Sequence, residues 1–108
     1  MADDLVLRVY HVTRTLPVEE RYGLQAQIRR AAVSTASNIV EGCARRTERE
    51  YGQFVNIAFG SAAETRYLVS LALRLQYIPP RVARELDVEY EKLLSGLNRL
   101  LGAIETMG

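Results

Sequence analysis

The sequence predicts an all-α protein, an antiparallel four-helix bundle with up-down-up-down topology, and three observations carry this prediction. Apolar residues recur at helical spacing through nearly the whole chain. No hairpin dipeptide and no sustained alternation of apolar and polar residues indicates a strand. The connections between the four helical segments are short, about three to seven residues, so helices that are neighbours in sequence must lie antiparallel.

Length and composition point to one globular domain that spans residues 1–108. Hydrophobic residues make up 48% of the chain and charged residues 25%, which argues against a disordered protein. No apolar run approaches the roughly 18 residues that a membrane-spanning helix needs, and the start MADDLVLR lacks the features of a secretory leader. The single Cys43 cannot form an internal disulfide, so we expect a cytoplasmic protein.

The first two helices are predicted from their apolar stripes. Asp3 and Asp4 favour the positive end of the first helix, and Pro17 ends it. The second helix begins at Leu24 and is expected to stop near Gly42, because glycine often ends a helix. The predicted core positions are Leu5, Val9, Val12 and Leu16 in the first helix, and Leu24, Ile28, Ala31 or Ala32, Thr35 and Ile39 in the second.

The third and fourth helices have clearer start signals. Thr47 followed by Glu50 forms a capping box, in which each side chain can bond to a backbone N–H of the other. This predicts a third helix from Glu48 to Gln76, and Pro80 suits the first residue of a fourth.

Small residues are concentrated in the second helix (AAVSTAS, 31–37) and in the third (GSAA, 60–63). They allow the two helices to approach closely. A buried polar group without a partner costs about 1–3 kcal/mol, so the polar side chains on these faces should bond to one another. We therefore expect a buried structural network made of Ser37, Asn38, Glu41, Ser61 and Glu64.

Positive charge is unevenly distributed. The net charge of +1 argues against a strongly basic nucleic-acid binder, yet ten arginines and only four acids lie between Arg21 and Arg84, a local charge of about +6. Arginine is suited to bidentate contacts with carboxylate or phosphate, although a GC-rich genome produces the same bias toward arginine. The candidate residues for binding nucleic acid or a partner are Arg29, Arg30, Arg45, Arg46 and Arg49, and the last three flank a helix N-terminus, which also favours anions.

No constellation of catalytic residues is visible. His11 is the only histidine and Cys43 the only cysteine, and both are expected to have packing or boundary roles. The acids Glu85, Asp87 and Glu89 spread around the fourth helix with Glu91 and are interpreted as a solvated face. We predict no catalytic residue, no metal site, no cofactor and no small-molecule substrate.

The stretch LPVEERYGLQAQIRRAAVSTASNIVEGCARRTEREYGQFVNIAFGSAAE, about half of the chain, resembles the four-helix bundle family encoded in intervening sequences of bacterial large-subunit ribosomal RNA. Relatives in that family act as accessory proteins of diversity-generating retroelements. Gln25 departs from the usual Thr or Ser, so a weaker cap of the second helix is expected. The matching positions are Pro17, Glu20, Tyr22-Gly23-Leu24, Gln27, Arg29-Arg30-Ala31, Ser34, Ser37-Asn38-Ile39, Glu41-Gly42, Arg45 or Arg46, Glu50, Gly60-Ser61 and Glu64.

The resemblance implies a homo-oligomer, a pentameric ring, with no enzymatic activity and with an association with nucleic acid. Two hypotheses follow. In the first, the chain is an oligomeric helical scaffold whose arginine-bearing surface binds RNA or a nucleic-acid-handling protein. In the second, it is a structural or protein-interaction module whose arginines hold the subunits together.

Overall fold

Four α-helices make up most of the chain in the computed structural model, which describes residues 1–107. The helices are α1 (Ala2–Thr13), α2 (Leu24–Cys43), α3 (Glu48–Arg74) and α4 (Pro80–Met107), and one turn of 3-10 helix (Val18–Glu20) lies between α1 and α2. Within residues 1–107 no strand is present and no helix is long and apolar enough to cross a membrane. The predicted four-helix bundle is confirmed.

The helices pack in the order α1, α2, α3, α4 around the bundle. The α2–α3 and α3–α4 pairs make the most extensive contacts, whereas the short α1 rests mainly on α2 and only lightly on α4. The bundle is therefore built on a long α2–α3–α4 unit, to which α1 is added at one side.

The apolar stripes predicted from the sequence form the core. Leu24, Ile28 and Thr35 of α2 are buried, and Ile39 packs at the edge of the core. Tyr90 of α4 is only 1% exposed, and its burial raises the pKa of the phenol to about 12. One predicted position shifts by one residue, since Thr13 is buried in place of Val12, which is half-buried.

Small residues line the contact between α2 and α3, as the sequence predicts. Ala31 and Ala32 of α2 and Ala58 and Ala62 of α3 are all buried. Short side chains at a helix crossing allow the two backbones to come close together.

Gly42 has a different role from the one predicted. The helix α2 continues to Cys43, so Gly42 lies inside the last turn rather than ending the helix. A Cβ atom at this position would lie 3.1 Å from Tyr51 Cδ1 and 3.1 Å from Phe54 Cβ. Glycine fits here because α3 approaches closely, and a larger residue would require Tyr51 or Phe54 to shift by a few tenths of an ångström.

The helix starts are capped in two ways. Thr47 Oγ1 accepts a hydrogen bond of 3.1 Å from the backbone N–H of Glu50, which is one half of the predicted capping box. At α2 the N-cap residue is Gly23, which has no side chain to cap the helix. Glu20 of the 3-10 turn caps it instead, since its Oε1 accepts a hydrogen bond from Leu24 N at 3.0 Å. Glu20 Oε2 also accepts from the Tyr77 hydroxyl at 3.2 Å, which joins the α1–α2 and α3–α4 connections.

The C-terminus of α3 ends in a Schellman motif. The helix ends at Arg74, two residues before the predicted end, and the N–H groups of Gln76 and Tyr77 bond to the carbonyls of Leu73 and Ala72. This motif places Gln76 in the left-handed region with φ of 65°, a conformation that favours glycine.

Replacing Gln76 by Gly should therefore stabilise the protein. The left-handed conformation costs a residue with a Cβ atom about 1–2 kcal/mol, and the extra backbone entropy of glycine offsets part of this, so we expect a gain of about 0.5–1 kcal/mol. Gln53→Gly is the matched control, because Gln53 is exposed inside α3 and its replacement should destabilise by roughly 0.5–1 kcal/mol. Chemical denaturation at one protein concentration measures both. If Gln76→Gly destabilised the protein as much as Gln53→Gly, the left-handed conformation of Gln76 would not be strained.

Candidate functional site

Arg29 is held within its own chain at the crossing of α1 and α2. Its Nε donates to Thr13 Oγ1 at 2.9 Å and its Nη2 donates to the carbonyl of Tyr10 at 3.1 Å. The guanidinium lies over the Tyr10 ring, 4.5 Å from its centroid. Gln25 assists by donating to the Thr13 carbonyl at 2.8 Å. Arg29 thus bonds to one carbonyl in the last turn of α1, that of Tyr10, and Gln25 bonds to another, that of Thr13. These contacts explain Arg29 without the predicted contact to nucleic acid or a partner.

Arg30, by contrast, is exposed and makes no ion pair within residues 1–107. It lines a shallow cleft of about 430 Å³ on the α1–α2 side, which we call the basic cleft. No acidic residue lines this cleft. Beside Arg30, its exposed residues include the cationic Arg21 and the aromatic Tyr10. The lining residues are Tyr10, Arg21, Gln25, Ala26, Arg29, Arg30 and Val33.

The other three candidate arginines lie beyond the opposite end of α2. Arg45 folds back onto the last turn of α2: its Nε donates to the Glu41 carbonyl at 3.2 Å, and its Nη2 lies 3.7 Å from Glu41 Oε2. Its guanidinium also lies 5.3 Å from the centroid of the Phe54 ring. Arg46 and Arg49 are exposed and make no ion pair in the part of the chain that the structure describes.

The five candidate arginines therefore form two separate groups rather than one surface. Arg30 lies thirteen residues before Cys43, the last residue of α2, which corresponds to about 20 Å along the helix axis, and Arg45 follows that end. Arg49 also borders a cleft of about 600 Å³ between α3 and α4, where Glu48 and Glu105 are its neighbours. The local potential at this second group is consequently less positive than the run of arginines in the sequence indicates.

The predicted buried polar network is wrong in three of its five members. Ser37, Glu41 and Glu64 are exposed, and only Asn38 and Ser61 are partly buried at the α2–α3 contact. The polar face that α2 turns toward α3 lies to one side of the predicted one, because each residue along a helix rotates the side chain by about 100°.

The polar contact that does form is centred on Ser34. Its hydroxyl lies 2.8 Å from the hydroxyl of Ser61 across the helix pair. The Asn38 amide donates to the Ser34 carbonyl at 2.8 Å and to the Ser34 hydroxyl at 3.1 Å. No side-chain nitrogen or oxygen atom that is fully buried within residues 1–107 lacks a hydrogen-bond partner, and this holds for the small cluster around Ser34.

A second polar contact, missed by the sequence analysis, links α3 to α4. Arg66 Nε donates to Asp87 Oδ1 at 2.6 Å and its Nη2 to Oδ2 at 3.2 Å, with Glu91 at 3.8 Å. The hydrogen bonds from Arg66 lower the pKa of the Asp87 carboxyl and raise that of the guanidinium. Asp87 and Glu91 lie four residues apart on one face of α4, so the sequence could have indicated that they share a cation. The identity of that cation, Arg66, depends on which face α3 turns toward α4.

The groups considered for chemistry lie apart from one another. His11 is exposed on α1, and Cys43 is exposed at the end of α2. Within residues 1–107 no three His, Cys, Asp or Glu side chains come together as a metal site.

Comparison with known proteins identifies the family. The family model described as 23S rRNA-intervening sequence protein matches residues 1–99. The chain belongs to this family. The resemblance noted from residues 16–64 is thereby confirmed and extended to α4.

A solved structure supports the fold. It is a protein of unknown function from the S23 ribosomal protein family of Bacteroides thetaiotaomicron, which is 21% identical to this chain with a TM-score of 0.86. The match covers 93% of this chain and 94% of the other. The two proteins therefore share the four-helix bundle over nearly their whole length. No curated protein matches the chain.

The Ser34–Ser61 contact can be tested by a double-mutant cycle. Replacing either serine by alanine leaves the other hydroxyl with one partner fewer in a half-buried site, so each single variant should lose about 1 kcal/mol of unfolding free energy relative to Ser37→Ala, an exposed serine in the same helix. The double variant should lose less than the sum of the two losses, with a coupling of about 0.5–1.5 kcal/mol. Strictly additive effects would show that the two hydroxyls do not interact.

The Arg66–Asp87 pair predicts a dependence on pH. Because the folded pKa of Asp87 lies below its unfolded value, the pair stabilises the protein above the unfolded pKa of about 3.9, and this contribution is lost as the pH falls through the lowered folded value. Asp87→Asn should therefore cost about 0.5–1 kcal/mol at pH 7, since both side chains are over one-third exposed. The difference from the unmodified protein should shrink as the pH falls below the unfolded pKa of about 3.9 and through the lowered folded value.

Urea denaturation from pH 7 to pH 2.5 measures this difference. Glu89→Gln serves as the control, because Glu89 has a single 3.5 Å contact to Lys92 and should show a smaller loss. A loss for Asp87→Asn that stays constant over the whole range would contradict the assignment.

Proposed function

We propose that the chain is a non-enzymatic homo-oligomeric helical scaffold that binds RNA through three arginines around the start of α3, Arg45, Arg46 and Arg49. The observation that carries the proposal is the exposure of Arg46 and Arg49 on either side of the start of α3, without an ion-pair partner within residues 1–107. Exposed arginines beside the free N–H groups of a helix start suit a phosphate of an RNA backbone. The family's description, which refers to 23S rRNA, favours RNA over other polyanions.

The homo-oligomer is a necessary part of the proposal. The net charge of +1 and the nearby Glu48 make the binding site of a single chain weak. In a ring of identical chains the same three arginines recur at one end of every bundle, and several weak sites that engage one RNA produce a large gain in affinity. The proposed number of subunits is five, as the family resemblance implies.

The scaffold is proposed to lack enzymatic activity and to work in the cytoplasm. His11 makes no side-chain hydrogen bond to a nucleophile in the part of the chain described. The exposed thiol of Cys43 suits a reducing compartment, where it stays unpaired.

A second candidate function, a purely structural or protein-interaction module, is favoured by one observation. Arg29 and Arg45 are both engaged by groups of their own chain, so two of the five candidate arginines have structural roles without any RNA. In that case the exposed Arg30 holds subunits together, and a protein partner takes the place of RNA.

Gel retardation of single-stranded RNA at increasing salt tests the proposal. Binding at about 50 mM salt should weaken steeply toward higher salt, because every neutralised phosphate releases condensed counterions. The double variant Arg46→Ala/Arg49→Ala should flatten this slope by about 0.7 for each phosphate contact that is lost, while the mass of the oligomer stays unchanged.

The matched control is Arg81→Ala/Arg84→Ala, which removes the same charge from exposed positions on α4. It should leave the salt dependence close to that of the unmodified protein. Absence of retardation at about 50 mM salt would rule out direct RNA binding and favour the structural module, and an equal effect of both double variants would show binding to net charge alone.

A further inference from the structure

The side of the molecule between α1 and α2 has a groove whose large aliphatic side chains are not covered by the chain. Leu7 is 71% exposed and Val40 is 63% exposed, and Val33 lies between them at 41%. The groove has a volume of about 520 Å³, and we call it the apolar groove. Its lining residues are Asp3, Val6, Leu7, Val33, Ala36, Ser37, Val40 and Glu41, and Val33 also borders the basic cleft that holds Arg30.

A second uncovered surface runs along the outside of α3. Ile57, Gly60, Glu64 and Tyr67 are all exposed, and their spacing of three or four residues places them in one stripe, which we call the α3 stripe. Ile57 and Tyr67 are large apolar residues, each at least half exposed. Glu64 makes no ion pair within residues 1–107.

Gly60 is unexplained by the packing of a single chain. A Cβ atom at this position would have no neighbour within 4 Å. Glycine inside an exposed helix is less stable than alanine. In the middle of the α3 stripe, the missing side chain leaves the backbone open to close approach by a second chain.

The two surfaces are matched along the length of the bundle. The contact between Ser34 and Ser61 shows which residues of the antiparallel α2 and α3 lie at the same level. Arg30 lies about one turn before Ser34, and Glu64 lies about one turn after Ser61, so the two charged residues lie at nearly the same level. By the same count Ile57 lies level with Asn38, between Ser37 and Val40 of the apolar groove.

We propose that the apolar groove of one chain receives the α3 stripe of a second copy of this chain, with Arg30 of the first paired to Glu64 of the second. A rotation about an axis parallel to the bundle keeps every residue at its level. It therefore brings Arg30 opposite Glu64, and Ile57 opposite the part of the apolar groove between Ser37 and Val40. The exposed apolar side chains of both surfaces become buried, and the groove contacts the α3 backbone at Gly60.

The geometry of the two surfaces favours a closed ring. The interface is heterologous, since it joins two different faces of the chain, and such interfaces generate either rings or filaments. The apolar groove is formed by α1 and α2, and α2 is the direct neighbour of α3. The two faces therefore lie on adjoining rather than opposite sides of the bundle. Each added copy is rotated relative to the one before it, so that the row of subunits curves into a ring. This inference rests on the homo-oligomer proposed above and adds which surfaces meet.

Charge reversal tests the pairing, with light scattering after size-exclusion chromatography as the readout. Arg30→Glu and Glu64→Arg should each shift the mass toward the 12.2 kDa of the single chain. The double variant Arg30→Glu/Glu64→Arg should restore the oligomer, because the pair is re-formed with its charges exchanged. Arg99→Glu, a charge reversal at an exposed position of α4, should leave the mass unchanged.

Gly60→Leu provides a second test that does not involve charge. The substitution should dissociate the oligomer while the monomer keeps its helical circular dichroism, since the added side chain meets nothing within its own chain. Gly102→Leu is the matched control, because Gly102 is also an exposed helical glycine with open space around it, and it should preserve the oligomer.

The outcomes separate this inference from the proposed function. A mass of 12.2 kDa for the unmodified protein overturns both the homo-oligomer and the interface. An oligomer that is unaffected by Arg30→Glu, Glu64→Arg and Gly60→Leu overturns the interface alone. Failure of the double variant to recover, when both single variants dissociate, overturns the pairing of Arg30 with Glu64.

Discussion

The close contact between α2 and α3 is the constraint on which the rest of the structure depends. Alanines on both helices and the glycine at position 42 let the two backbones approach closely, and the Ser34–Ser61 hydrogen bond fixes the alignment of the pair. Larger side chains complete the core around this contact. Tyr90 and Leu86 of α4 and Ile28 of α2 are the largest of those that are fully buried.

The same constraint determines what the surface of α2 can do. One face of the helix packs against α3 and another against α1. Arg29 of α2 holds α1 in place through its hydrogen bonds to Thr13 and Tyr10. The remaining narrow stripe carries Arg30, Val33 and Val40, and it continues into the groove beside α1. The doubled arginine is thus divided between two tasks: the first residue of the pair holds the chain together, and the second is free for contacts outside it.

Much of the fold could be predicted from the sequence because helical periodicity, caps and prolines are local signals. Leu24, Ile28 and Thr35 are buried as expected, and Thr47 and Pro80 mark the helix starts. The polar contacts could not be predicted in the same way. Whether Ser34 or Ser37 faces Ser61, and whether Arg66 reaches Asp87, depends on the rotation of each helix about its axis, which the packing of the whole bundle determines. For the candidate site, the sequence revealed the arginines but not that Arg29 and Arg45 are engaged within the chain.

Native-state hydrogen exchange tests the central role of the α2–α3 contact most directly. If this contact is the foundation of the bundle, the amides around Ala31–Thr35 of α2 and Ala58–Ala62 of α3 should exchange slowest, through global unfolding. The amides of α1 should exchange faster, because that short helix packs mainly on α2 and is released without disrupting the α2–α3 pair. Protection of α1 equal to that of α2 and α3, or faster exchange at the α2–α3 contact than in α1, would contradict the account.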